Sequence, residues 1–211
     1  MAKLPLFPLG LVAFPGEKLN LHIFEPRYRQ LVKDSYTDDT TFGIPPVMDG
    51  KPLAIGTEMK LDKVVKVYQD GKMDIRTIGV RKFYLKDYKS VSEGKMYPEG
   101  EVEYIDIIPH DANMKEMQSL MDLVGKLYEL MGLDQELPQL HKDFSFYQIA
   151  HKIGLSLEQE YELLKLDKES ERIKFVHDHL HIVMPVMQQM KELQAKVQMN
   201  GHFKNLTPPE L

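Results

Sequence analysis

Residues 14–28 read Phe14-Pro15-Gly16-Glu17-Lys18-Leu19-Asn20-Leu21-His22-Ile23-Phe24-Glu25-Pro26-Arg27-Tyr28. Phe-Pro-Gly is turn chemistry, because Pro presets φ and Gly accepts conformations closed to other residues. Leu19 to Phe24 then alternates before running apolar, which is the pattern of a strand. Pro26 suits the first position of a helix, where a backbone N–H has no partner to lose. The spacing predicts a short helix from Arg27 to Tyr36, with Tyr28, Leu31 and Val32 on one face.

Downstream, Thr40 to Ile44 reads as another strand. Glu58 to Tyr68 and Lys72 to Ile78 flank Asp70-Gly71, which predicts a hairpin closed by a type I′ turn. Lys82 to Tyr88 and Glu101 to Ile108 read as further strands. Several short strands joined by turn residues suggest a small, curved, barrel-like sheet. The helix among them argues against a pure sandwich.

After residue 110 the period changes to that of helices. Met114, Met117, Met121, Val124, Tyr128 and Met131 step by three and four along one face. Asp111 or Asn113 is placed to cap that helix. Phe146, Ile149, Ala150 and Ile153 mark a short second helix, with Gly154 as its cap. Ser156-Leu157-Glu158-Gln159 has capping-box spacing and opens a third. From Asp167 a long segment follows, and Ile173, Val176, Leu180, Val183, Met187, Met190, Gln194 and Val197 keep heptad phase. Pro185 lies inside it. A kinked helix is the expectation, with two helices meeting at Pro185 as the alternative. The expected division is a β subdomain over 1–110, an α-helical subdomain over 111–200 and a frayed tail over 201–211.

The 211 residues are 43% hydrophobic and 28% charged, with a net charge of −5 and no Cys. That composition is globular and excludes disulfides, thiolate metal sites and a Cys nucleophile. The acidic balance argues against nucleic acid as a partner. A basic stripe of Lys60, Lys63, Lys66, Arg76, Arg81 and Lys82 is the feature that would reverse this. The uncharged run Leu4 to Gly16 contains Pro5, Pro8 and Pro15 and is too short to span a bilayer. No cleavage signal follows it, so a cytoplasmic protein with no membrane partner is expected.

Nucleotide and catalytic signatures are missing. Gly50-Lys51, Gly71-Lys72 and Gly94-Lys95 lack both the upstream Gly and the hydroxyl of a phosphate loop. There is no Gly-x-Ser-x-Gly, and serines at turns and helix starts read as caps. A Ser–Lys dyad leaves no mark in spacing. His177 and His181 lie at i and i+4, the spacing of two zinc ligands, but Asp178 stands where a metalloprotease has Glu. No third ligand is identifiable, so this is read as a polar helix face. His22 reads as a structural histidine. No cofactor, no metal and no catalytic residue are expected. The thirteen Met residues suit either a helical core or an adaptable binding surface.

Pro5-Leu6-Phe7-Pro8-Leu9, Phe14-Pro15-Gly16, His22 to Tyr28, Ile55-Gly56-Thr57, Asp70-Gly71 and Gly79-Val80-Arg81-Lys82-Phe83 occur in an order and spacing similar to the amino-terminal substrate-binding domain of Lon proteases. Leu155 to Glu158 and the long segment after Asp167 resemble the helical subdomain of that family more loosely. The resemblance covers residues 4 to about 199. It implies an α+β fold, a PUA-like six-stranded β pseudobarrel with a short helix followed by an α-helical bundle. It also implies binding of unfolded or tagged polypeptides for proteolysis, with a separate ATP-dependent protease as partner. The ATPase and Ser–Lys protease modules of a full Lon are missing from these residues, so a non-catalytic role is expected. Thr207 to Leu211 reads as a natural end, the mark of a stand-alone protein. Phe24, Glu25, Arg27 and Tyr28 are the candidate substrate contacts. An RNA-binding PUA-like module and a partner-docking adaptor or homo-oligomer built on the heptad face remain alternatives.

Overall fold

The structure, a computed structural model, describes residues 2–106, 111–133, 137–141 and 144–202, the last five by backbone alone. Its strands are Ala2–Pro5 (β1), Lys18–Ile23 (β2), Phe42–Ile44 (β3), Val47–Met48 (β4), Lys51–Pro52 (β5), Ile55–Val67 (β6), Met73–Lys89 (β7) and Glu99–Tyr104 (β8). Its α-helices are Pro26–Asp38 (α1), Met114–Met131 (α2), Leu157–Lys165 (α3) and Glu169–His202 (α4), with a 3-10 helix over Phe146–Lys152. By contacts the chain divides into Met1–Pro109 with Ser145–Lys168, and His110–Phe144 with Glu169–Leu211.

In the first unit, six strands form an antiparallel sheet in the order β1-β8-β7-β6-β3, with β2 also on β7. A parallel bridge between Leu6 and Gly43 joins the two ends of that order, and the Phe7 amide donates to Gly43 O at 2.7 Å. The sheet therefore closes on itself, as the barrel expectation requires. Strands β4 and β5 make a separate small hairpin.

The central hairpin differs from expectation in two ways. Its turn is not type I′, because Gly71 alone of the pair has positive φ, at 80°. Gly71 N donates to Tyr68 O and Tyr68 N to Lys72 O, giving a three-residue loop that ends in a left-handed Gly. The second difference is that Lys72–Ile78 and Lys82–Tyr88 are not separate strands. They are one strand, β7, that runs through Gly79. Its first half pairs with β2 and its second with β8. Gly79 supports this continuity by close approach: an added Cβ would collide with the Phe14 carbonyl. There Gly16 N donates to Gly79 O and Gly79 N to Glu17 O, both at 2.9 Å. The Phe14-Pro15-Gly16 turn thus lies directly on the middle of β7.

One core cluster gathers Phe7, Tyr28, Leu31 and Val32 against Phe42, Ile44, Met59 and Ile75. A second contains Leu4, Leu6, Phe83 and Val102. The predicted face of α1 is therefore its buried face. β1, which the prolines hid from sequence reading, supplies Leu4.

Residues 145–168, expected among the helices, belong with the sheet. Helical spacing shows that a face is apolar but not what covers it. Tyr147 stacks on Phe14 at 5.0 Å. Ile55 N donates to the Tyr161 hydroxyl at 3.2 Å. Lys82, buried, donates to Leu166 O at 2.9 Å and to the Asp167 carboxylate at 2.6 Å. That places a cation at the carbonyl end of α3, where the helix dipole favours one. The capping box of Ser156 and Gln159 opens α3 as expected.

In the second unit, Asn113 caps α2 by accepting from Lys115 N at 2.9 Å. Asp111 serves α4 instead, accepting from the Ser170 amide and hydroxyl. Met117, Met121, Val124 and Tyr128 are buried, while Met114 and Met131 at the helix ends are exposed. α4 is one helix through Pro185. Of the predicted tail, 203–211 lies outside the described residues, as do Ile107 and Ile108 of the last predicted strand.

Two stability predictions follow from the Phe14–Glu17 crossing. Gly79→Ala forces a Cβ into backbone that cannot yield, and should cost about 3 kcal/mol in urea denaturation. Gly10→Ala, with open space around its Cβ position, should stay within about 0.5 kcal/mol. The other prediction concerns His151, which bridges Glu160 at 2.6 Å and Glu17 at 3.1 Å. Those hydrogen bonds, Glu160 first, push its pKa from 6.5 up to about 10 against the opposing effect of burial. A raised folded pKa adds stability that is complete below the unfolded value and lost as pH climbs through the folded one. The stability difference between wild type and His151→Ala should therefore shrink from pH 6.5 to pH 10. A difference constant across that window would contradict the bridge.

Candidate functional site

Strand β2 delivers the four candidate residues at its end. Ile23 turns inward and is buried, and Phe24 follows beyond the strand with 57% of its surface exposed. Glu25 holds the N-cap position in extended conformation but makes no side-chain cap. Its carboxylate instead accepts from Arg27 Nε at 2.9 Å and Nη2 at 2.8 Å. The Glu25 carbonyl accepts from the amides of Tyr28 and Arg29 and starts the helix. Tyr28 is different in kind, being only 4% exposed. Its ring lies 3.9 Å from Phe7, and the Arg27 guanidinium sits 4.6 Å above it. Tyr28 is thus a core residue that supports Arg27 from below, and it is not open to a ligand. Burial pushes its phenol pKa up.

Sequence reading missed the partners across the strands. Register sets His22 opposite Asp74, and the His22 Nδ1 to Asp74 Oδ1 distance is 2.6 Å. The Tyr68 hydroxyl donates to the other Asp74 oxygen at 2.7 Å. These two bonds, that from His22 first, hold the Asp74 carboxyl below the usual carboxylate range. The His22 ring lies 6.3 Å from Phe24 and meets Tyr68 edge-on at 5.7 Å. Lys66 Nζ sits 4.4 Å over Tyr68, and Arg29 donates to the Asp70 carbonyl at the hairpin tip. Val65 and Val67 are exposed on the same hairpin. The only sequence signal was a histidine on the polar face of an alternating strand, since its partner depends on a register that pattern alone does not give.

This end of the sheet therefore presents aromatic and aliphatic area edged by ion pairs. Such a surface can hold an extended chain by apolar contact and position it by hydrogen bonds. β2 adds a further feature, pairing with β7 and with no other described strand.

Four of the six residues of the basic stripe are held in ion pairs, while Lys63 and Lys66 are exposed. Lys60 pairs with Asp39, Arg76 with Asp62, Arg81 with Glu58, and Lys82 with Asp167. Glu58 is buried and also accepts from Thr41 and Tyr104. Charges neutralised by neighbouring carboxylates are poor phosphate ligands.

The second unit carries a groove of about 270 Å³ lined by Leu123, Leu180, His181, Met184, Pro185 and Gln188. The heptad face of α4 is divided. Ile173, Val176 and Leu180 are buried, Val183 and Met187 are half-buried, and Met190, Gln194 and Val197 are exposed. A charge placed at Leu180 would unfold the unit, so association through this face has to be probed at Met190 or Val197, which are exposed. Among the described residues, no group of three or more His, Cys, Asp or Glu is arranged to hold a metal ion. No described helix is long and apolar enough to cross a membrane.

The family model described as the ATP-dependent protease La (LON) substrate-binding domain matches residues 3–181. The chain belongs to that family. It is similar to the crystal structure of a Lon N-terminal domain protein from Xanthomonas campestris, at 28% identity and a TM-score of 0.63, covering 82% of this chain and 96% of that one. It also shares the fold of the N-terminal domain of a Mycobacterium avium complex Lon protease, at 14% identity and a TM-score of 0.61, covering 85% and 98%. No curated protein matches the chain.

The contrast between Phe24 and Tyr28 is testable by denaturation. Phe24→Ser should change stability by no more than about 0.5 kcal/mol. Tyr28→Ala should cost about 3 kcal/mol or more, because it opens a cavity against Phe7. Equal costs would mean that Phe24 is a core residue and not part of a free surface.

Proposed function

We propose that this member of the Lon substrate-binding family recognises unfolded or tagged polypeptides, without catalysis of its own, and presents them to a separate ATP-dependent protease. The observation that carries the reading is the exposed Phe24, set beside His22 and Tyr68 at the end of β2. A large aromatic side chain left in water on a rigid scaffold is an affinity anchor for a partner chain. The Glu25–Arg27 pair beside it supplies one acceptor and one donor for the backbone or charged side chains of a bound segment. The edge of β2 that pairs with no other described strand suits the same partner, since an extended segment gains main-chain hydrogen bonds by adding to a sheet. Ion pairing of four of the six residues in the basic stripe weighs against RNA as the ligand.

Binding of a fluorescent, permanently unfolded polypeptide tests the proposal. Wild type should saturate and should keep most of its affinity at about 1 M salt, where exposed charges are screened within about 3 Å. Phe24→Asp should weaken binding by about tenfold or more, the effect of losing an anchor worth about 1.4 kcal/mol. Absence of binding, loss of binding in salt, or full affinity in Phe24→Asp would overturn the proposal.

A further inference from the structure

On α4, His177 and His181 are one helical turn apart and both point outward. Their rings meet edge-on with centroids 4.3 Å apart, and the two Nε2 atoms are separated by 3.1 Å. Two imidazole nitrogens bound to one zinc-sized ion at about 2.05 Å, with an angle between square and tetrahedral, lie about 2.9–3.3 Å apart. The pair is therefore already at the bite of a chelate. We propose that His177 and His181 form a two-point site for a borderline divalent transition-metal ion, Cu²⁺, Ni²⁺ or Zn²⁺.

Without metal the short contact admits one proton, shared as N–H···N between two neutral rings. An ion bonds to the lone pairs of both Nε2 atoms, and the shared proton moves to Nδ1 of its own ring, so both imidazoles bind as neutral Nδ1–H tautomers. Backbone rearrangement is not needed, because i and i+4 side chains share one helix face. The local charges permit it. The Asp178 carboxylate lies 3.7 Å from His177 Nδ1, and its other oxygen is held by Lys174 at 2.9 Å. Asp178 thus stands behind the His177 ring, on the nitrogen opposite the proposed bond, where outer-shell carboxylates orient ligating imidazoles.

With no third described ligand, the remaining coordination positions belong to water or to a donor from outside. That sets the chemistry apart from a closed structural site and makes exchange fast and affinity moderate. His181 also lines the apolar groove with Leu180, Met184 and Pro185. The chelated turn lies just before Pro185, whose missing N–H leaves the His181 carbonyl without its helical donor. A metal ion would brace α4 at the turn where its own hydrogen bonding is interrupted. The sequence showed the i, i+4 spacing but not the nitrogen separation, which is what distinguishes a preformed chelate from two solvated rings. This site is independent of the polypeptide surface at Phe24.

The test is titration of untagged, metal-free protein with Cu²⁺, Ni²⁺ and Zn²⁺ by calorimetry, with Cu²⁺ also followed by electron paramagnetic resonance. One equivalent should bind, tightest for Cu²⁺ in the order expected of nitrogen ligands. The Cu²⁺ spectrum should show coordinated imidazole nitrogen. His177→Ala and His181→Ala should each weaken binding by at least about 10–100-fold, the cost of losing even an outer partner of a metal. His22→Ala, far away in sequence on β2, should leave it unchanged. Circular dichroism checks that the variants stay folded, and both substituted side chains are exposed. Wild-type affinity in either α4 variant, or no stoichiometric binding by wild type, would overturn the proposal.

Discussion

The crossing of Phe14–Glu17 over Gly79 is the constraint on which the first unit depends. Two backbone hydrogen bonds fix the crossing, and the missing Cβ at Gly79 allows it. Thr57, buried, adds a third tie through its hydroxyl to the Ala13 carbonyl. From this short segment Phe14 reaches Tyr147 and Glu17 reaches His151, so the 3-10 helix and α3 are fastened to the sheet by the residues that cross β7. The same point is where β7 exchanges β2 for β8 as its neighbour. A single glycine thus lets one long strand serve two partners and lets a loop lie flat upon it.

That arrangement also determines what β2 can present. β2 leaves the crossing at Lys18 and runs along the first half of β7 to Ile23, with Phe24 just beyond its end. Its inward residues lead into a core that buries Ile23, Tyr28, Leu31 and Val32. Its outward His22 joins Asp74 and Tyr68. Phe24 is therefore displayed by a rigid frame on both sides. A rigid anchor loses little conformational freedom on binding, which is what lets a small exposed patch hold a flexible chain.

Much of this was legible in the residues. The strand before Pro26, the buried face of α1, the capping box at Ser156 and the Met-bearing face of α2 each follow from local spacing and chemistry. What was not legible depended on distant partners. Gly79 read as a break because close backbone approach leaves no periodic signal. β1 was hidden by its proline-rich context, since a single edge pairing tolerates Pro where a central strand does not. Residues 145–168 looked like part of a helical bundle because helical period does not reveal the surface that a helix covers. Within the candidate site, Glu25 and Arg27, read as candidate contacts, are also ion-paired with each other. Tyr28, one of the candidate contacts, is buried on the apolar face of α1 that its spacing with Leu31 and Val32 predicts. His22, Tyr68 and Asp74 needed the strand register to become a cluster.

The central functional claim is that polypeptide is held at the end of β2 and the facing hairpin. Hydrogen–deuterium exchange of the whole chain, with and without a saturating unfolded polypeptide, tests it most directly. The account predicts added protection concentrated in residues 20–29 and 64–74, with the buried strands of the core unchanged. Protection confined to α4, or absent while the polypeptide is demonstrably bound, would place recognition elsewhere and contradict it.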